Sequence, residues 1–148
     1  MPGDVFLVDV AAGSERRLTE PSRDLFEVVW LFEPRRFTAL SADGAEVEGW
    51  AMPPFALTAG GRVPAALEIH GGRTAKAYFH EFRALARAGY GLVYGNQRGS
   101  AGCGQACCQA IQFAWGDRDY ADVIALMDTA LAENAWIDPG RLGVLAGS

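Results

Sequence analysis

Val63-Pro64-Ala65-Ala66-Leu67-Glu68-Ile69-His70-Gly71-Gly72 is the stretch on which the fold turns. Pro64 to Ile69 is a short, nearly continuous apolar run, the pattern of a buried strand, and it breaks into a sharp loop at His70-Gly71-Gly72. Beyond the loop, Phe79, Phe82, Leu85 and Ala86 recur at helical spacing. Lys76, Glu81, Arg83 and Arg87 fall on the other faces of that helix, and Gly89 takes its C′ position. Tyr90 to Tyr94 is a second buried-strand run, followed by a glycine-rich loop from Gly95 to Gly104. Tyr120, Val123, Met127, Ala130 and Leu131 mark another amphipathic helix, opened by Asp117 and Asp119, whose charges suit a helix N-terminus. Asp138-Pro139-Gly140 predicts a turn, and Leu142 to Ala146 a last buried strand leading into Gly147-Ser148. Strand, helix, strand, helix, strand with short connections predicts an α/β fold around a parallel core.

Upstream of this core the rhythm is that of hairpins. Val5 to Val10 is rich in β-branched and aromatic residues, Ala11-Ala12-Gly13-Ser14 is a turn, and Glu15 to Thr19 returns as a second strand. An isolated hairpin is marginal in water, so this one needs neighbours. A linker-like stretch surrounds Glu20 to Asp24. Phe37 to Ser41 and Glu46 to Met52 form a second hairpin around Asp43-Gly44, and would add an antiparallel edge to the sheet. The loop from Pro53 to Arg62 is expected to be exposed.

Bulk properties exclude several classes. The 148 residues fit one ordinary domain or a piece of a larger one. Half of them are hydrophobic and 21% are charged, enough for a packed core. A net charge of -5 gives no reason to expect nucleic acid as a partner. No apolar run is long enough to span a bilayer, and Met1-Pro2-Gly3-Asp4 does not open a secretory signal, so a cytoplasmic protein is expected. Cys103, Cys107 and Cys108 are an odd number crowded into one segment, which reads as reduced, inert thiols rather than a disulfide framework. Neither His70 nor His80 lies at zinc-finger spacing from them, and no metal site is expected.

Five local patterns, in order, resemble the prolyl oligopeptidase family of serine peptidases, specifically its acylaminoacyl- and dipeptidyl-peptidase-like branches. Leu67-Glu68-Ile69-His70-Gly71-Gly72 resembles the family's strand and H-G-G loop. Asn96-Gln97-Arg98-Gly99-Ser100, with Gly102 and Gly104, is similar to its N-x-R-G-S-x-G-x-G loop. Trp115-Gly116, Asp119-Tyr120 and Asp122 look like its W-G-x-x-D-x-x-D helix start. Trp136-Ile137-Asp138-Pro139 and Arg141-Leu142-Gly143-Val144 resemble the approach to the nucleophile. There the family has G-x-S-x-G and this chain has Ala146-Gly147-Ser148, with alanine in place of the first glycine.

The resemblance implies a partial α/β-hydrolase fold, the N-terminal half of a mostly parallel sheet with flanking helices. It divides the chain into residues 1–33, like the last strands of a β-propeller and a linker, and residues 34–148, like the start of the catalytic domain. It implies hydrolysis of short peptides through an acyl-serine intermediate, without cofactor or metal. Ser148 would be the nucleophile, lifted above the sheet by a tight strand-to-helix turn, and Gly72 would offer a backbone N–H to the oxyanion. His70, Gly71, Asn96, Arg98 and Gly99 would organise the loops around the substrate. His70 is not expected to be the base, because in these hydrolases the base follows the nucleophile in the chain. Arg98 is expected to tie its loop to Asp119 or Asp122, and Trp115 and Trp136 to be core or loop anchors.

A triad needs nucleophile, base and orienting acid together, so a chain ending at Ser148 is expected to be inert alone. Leu142 to Ala146 would lie at an uncovered sheet edge, open to a complementing C-terminal half or to self-association. A fragment of a serine peptidase, one half of a split enzyme, a more generic esterase fragment, and a non-catalytic binding or scaffolding remnant are the competing readings.

Overall fold

The structure, a computed structural model, describes residues 4–28, 33–71 and 80–147, and its contacts divide the chain into two units, Met1–Phe32 and Glu33–Ser148. In the first unit, β1 (Phe6–Asp9) and β2 (Ser14–Arg17) pair antiparallel, with Phe6 opposite Arg17 and Asp9 opposite Ser14. Asp9 Oδ1 shapes the connection by accepting from the amides of Ala11 and Ala12, both at 3.0 Å. Arg17 closes the hairpin base through Asp4 and Glu20. A six-residue helix, α1 (Arg23–Val28), begins inside the stretch that reads as a linker. Such a short helix carries no amphipathic period, which is why the pattern misses it.

In the second unit, alternation places the strands. β3 (Arg35–Leu40) and β4 (Glu46–Met52) turn Phe37, Ala39, Val47 and Ala51 to one face, with Met52 buried on the other, and form the expected hairpin around Asp43-Gly44. β5 (Val63–His70), the helix α2 (His80–Arg87) and β6 (Gly91–Asn96) follow, then α3 (Gln105–Gln109), α4 (Arg118–Glu133) and β7 (Ile137–Gly147). The five strands lie in the order β3-β4-β6-β5-β7. β5 runs parallel to β6 and β7, while β3 and β4 add the antiparallel edge. This is an α/β fold with a mixed sheet, as the strand-helix alternation predicts. Phe79 and Lys76 of the anticipated helix lie outside the described residues.

Neighbouring residues of β6 show where the helices sit. Tyr94 packs its ring on Phe82 of α2, with centroids 4.8 Å apart, and stacks on Trp50. Gly95, pointing the other way, lies under Leu126 of α4. Side chains alternate across a strand, so α2 and α4 cover opposite faces of the sheet. The core between sheet and α4 gathers Phe37, Val47, Leu67, Val93, Leu126 and Ile137. Among the described residues, no helix is long and apolar enough to cross a membrane.

Asp138-Pro139-Gly140 does not separate two elements. It is an irregularity within β7, where pairing to β5 jumps from Val63–Ile137 to Ala65–Leu142. Pro64 has no N–H to offer there, so residues 138–141 bulge outward without loss of a ladder bond from that position. Asp138 stabilises the bulge by accepting from Gly140 N at 2.9 Å and from Arg141 Nε at 2.7 Å. Its carboxyl is held below the usual range, chiefly by the Arg141 hydrogen bond. Beyond the bulge, β7 is the last strand of the sheet, and Leu142, Val144 and Leu145 remain substantially exposed.

Candidate active site

The three parallel strands end together. β5 closes on His70, β6 on Asn96 and β7 on Gly147, and the register sets His70 opposite Gly147. The chain leaves β5 for β6 on one side and returns from β6 to β7 on the other. The carboxyl ends of these strands are therefore at a switch point, where α/β folds open a crevice. Gly71 and Gly147 belong to the described residues, whereas Gly72 and Ser148 lie outside them. The structure thus brings the approach to Ser148 alongside the His70-Gly71 end of β5. Asn96 Nδ2 lies 3.4 Å from Glu48 Oε2 on β4, the other neighbour of β6.

His70 is buried and bound to the following loop. Its Nε2 is 3.3 Å from Ser100 Oγ, and its carbonyl accepts from Gln97 Nε2 at 3.0 Å. The Ser100 hydroxyl has a single hydrogen, and that hydrogen goes to the Gln97 carbonyl at 2.6 Å. Ser100 can then only accept from His70, which puts the proton on Nε2. A ring nitrogen that is already donating cannot take a proton from the serine beside it, so His70 and Ser100 do not form a nucleophile-base pair. What they form is a clamp between the two loops. Gln97 and Ser100 escape sequence reasoning because they read only as motif positions, with no charge to draw attention.

Arg98 anchors the same loop to α4 and to the β3–β4 turn. Its Nε and Nη2 fork onto Asp122, the shortest contact being 2.7 Å, and its own backbone N–H donates to Asp122 Oδ2 at 2.8 Å. Asp122 is fully buried. Asp119, the other candidate partner, instead accepts from Gly116 N at 2.7 Å. Nη1 reaches Asp43 at 2.5 Å and Nη2 reaches Ser41 Oγ at 3.2 Å. The bonds to Asp122, then to Asp43, push the guanidinium further toward its charged form. Gly99 follows with a φ of 94°, and a β-carbon there would lie 2.2 Å from Ile111 Cδ1. Only glycine fits this position.

Asp43 carries a pH dependence. The Arg98 hydrogen bond, aided by the amide of Ala45, holds its carboxyl below the usual carboxylate range. A depressed folded-state pKa stabilises the fold above the unfolded value, and that contribution fades as pH falls through the folded one. Asp43→Asn is therefore expected to lower the thermal midpoint near neutrality, with the gap to the wild type closing on acidification below the ordinary carboxylate range. Melting curves of both proteins between about pH 7 and pH 3 check this. A gap that stays constant would contradict it.

One expectation fails in this loop. Cys103 and Cys107 are joined by a disulfide, their Cα atoms 5.6 Å apart, and Cys108 alone keeps a free thiol. Gly104, between the bridged pair, adopts a φ of 87° that turns the chain into α3, where residues four apart can meet. Of the two roles expected for Trp115, core or loop anchor, exposure removes the first: 66% exposed, it flanks a cleft of about 300 Å³ whose walls include His70, Gly71, Arg98 and Tyr120. Trp136 does pack against the core, over Gly91. Among the described residues, no group of three or more His, Cys, Asp or Glu side chains is placed to hold a metal ion.

A mixed sheet flanked by helices, its parallel strands ending side by side, defines the N-terminal part of an α/β-hydrolase fold. Residues 76–148, just under half of the chain, match the Prolyl oligopeptidase family. Over 150 residues it is 35% identical to the uncharacterized peptidase YuxL of Bacillus subtilis, covering 99% of this chain and 23% of that protein. Acylaminoacyl peptidase of Pyrococcus horikoshii superposes with a TM-score of 0.83 at 29% identity, over 98% of this chain and 24% of that one. A puromycin-hydrolyzing peptidase of Mycobacterium tuberculosis superposes with a TM-score of 0.75, also at 29% identity, over the whole chain and 24% of that structure. The chain thus spans about a quarter of the length of the relatives it matches.

Proposed function

We propose that this chain supplies the first part of the catalytic domain of a serine peptidase, with Ser148 as nucleophile and Gly72 as an oxyanion donor. The observation that carries the reading is the pairing of His70 with Gly147, which runs the approach to Ser148 beside the strand end that precedes Gly72. Attack by the serine hydroxyl on a peptide carbonyl would give a tetrahedral oxyanion. A preorganised backbone N–H from the glycine loop would stabilise that charge as it develops. Collapse would expel the amine and leave an acyl-serine, which water would then hydrolyse. The names of the relatives, acylaminoacyl peptidase and puromycin-hydrolyzing peptidase, favour short peptide-like amides as substrates. Residues 1–33 are, on the same reading, the close of a propeller that precedes the catalytic domain.

The hydrolase order puts base and orienting acid after the nucleophile, and His70 is committed as a donor to Ser100. The 148-residue chain is therefore expected to be inert by itself. Two measurements test the proposal. The chain is incubated with a p-nitrophenyl ester; turnover that disappears in Ser148→Ala would refute inertness. A longer polypeptide that continues these residues is treated with a fluorophosphonate and mapped by mass spectrometry. Phosphonylation of Ser148, with hydrolysis of a short peptide amide, supports the assignment, and labelling at another serine removes it.

A further inference from the structure

The cysteines of the 95–111 segment are arranged as a reactive set. Cys103 Sγ and Cys108 Sγ rest against one and the same acceptor, the Ser100 carbonyl oxygen, at 3.1 and 3.0 Å. A sulfur of the Cys103–Cys107 bridge and the free thiol of Cys108 therefore share one contact atom. Cys103 is exposed, and Cys107 and Cys108 are half-buried, so both small thiols and the internal one have access. The backbone of Cys107 is tied to the active-site loop as well, because its carbonyl accepts from Gly99 N at 2.9 Å. Ser100, whose carbonyl both sulfurs touch, is the residue that meets His70.

We propose that Cys103, Cys107 and Cys108 form a thiol–disulfide exchange site whose state sets how firmly the Arg98-Gly99-Ser100 loop is held beside the candidate active site. In the internal step, Cys108 gives its proton to solvent and the thiolate attacks Cys103 Sγ. A Cys103–Cys108 bond forms, the Cys103–Cys107 bond breaks, and the electron pair leaves on Cys107 Sγ, which takes a proton from solvent. Nothing is oxidised or reduced overall. In the external step a small dithiol reduces the bridge, delivering two hydrogens to the protein sulfurs and ending as its own cyclic disulfide. In a reducing compartment, bridges of this kind are switched rather than permanent. Opening the bridge releases the tie that holds Cys107, and with it the Gly99 amide, in place.

The experiment uses the 148-residue chain prepared without reductant. After incubation at about pH 8, where thiolates exchange, free thiols are blocked with iodoacetamide. The chain is then unfolded, reduced, labelled with N-ethylmaleimide and digested, and the peptide from Gly99 to Arg118 is sequenced by mass spectrometry. The proposal requires one carbamidomethyl group per chain, divided between Cys108 and Cys107. Three blocked cysteines would overturn the bridge, and a carbamidomethyl group confined to Cys108 would overturn exchange. In Cys107→Ser the bridge is expected to reappear between Cys103 and Cys108; because the wild-type map already decides the matter, misfolding of this variant changes nothing. For the loop, reduction is expected to speed tryptic cleavage after Arg98 by about tenfold or more. Equal cleavage of the oxidised and reduced chains would remove the link to the active-site loop.

Discussion

Arg98→Met is expected to destabilise the Glu33–Ser148 unit by about 3–5 kcal/mol, because it strands a buried carboxylate. Asp122 is fully buried and receives three kinds of donor from one residue: the backbone N–H, Nε and Nη2 of Arg98. With the guanidinium gone, only the backbone amide remains to compensate a charge removed from water. Urea unfolding of the wild type and the variant measures the loss. Arg98→Lys recovers little, since an ammonium presents a point charge where the carboxylate needs a planar fork. Exchanging the two residues also fails, because an arginine at position 122 cannot accept the backbone N–H of position 98. Replacing both, as Arg98→Met with Asp122→Leu, removes the charge along with its partner and is expected to cost less than Arg98→Met alone. A double variant as unstable as the sum of the singles would show that the two residues do not act as a pair.

Much of this arrangement is legible from local pattern, and its gaps have physical causes. Alternation exposes β3 and β4, and continuous apolar runs expose β5 and β6, because burial of one face or of both leaves a period in the residues. The H-G-G and N-x-R-G-S strings point to two strand ends, and the parallel register does bring those ends together. Side-chain pairs distant in sequence leave no such trace. Asp43 reads as a turn residue, and one oxygen does serve the turn at Ala45; the other reaches Arg98, fifty-five positions away. The disulfide goes with the positive φ of Gly104 and the turn into α3 rather than with any cysteine spacing rule. Pro139-Gly140 carries a strong turn signal, yet the ladder with β5 continues past it, so tertiary pairing overrides local preference. Trp115 is large and aromatic, which argues for burial, but its place at the rim of the cleft leaves it in solvent.

Leu126→Ala is expected to cost about 2–5 kcal/mol, and the reason reaches back to the site. Gly49 of β4 and Gly95 of β6 are paired neighbours, and together they leave a flat patch on which Leu126 sits. A β-carbon on Gly95 would lie 2.4 Å from Leu126 Cδ1 and 2.7 Å from the backbone oxygen of Glu48. One on Gly49 would meet Leu126 and Phe37 at 2.6 Å. Leu126 is itself buried, which leaves its side chain little room to yield, so α4 is expected to lift. Gly95→Ala is accordingly expected to cost about 1–3 kcal/mol by overpacking. Combined with Leu126→Ala, which clears the space, it is expected to cost less than the sum by about 0.5–3 kcal/mol. Asp122 lies one helical turn before Leu126, so lifting α4 also draws the carboxylate away from Arg98. Gly95→Ala and Arg98→Met should then be non-additive in urea unfolding although position 95 touches neither charge. Strict additivity of that pair would mean that the depth of α4 on the glycine patch does not govern the clamp on the active-site loop.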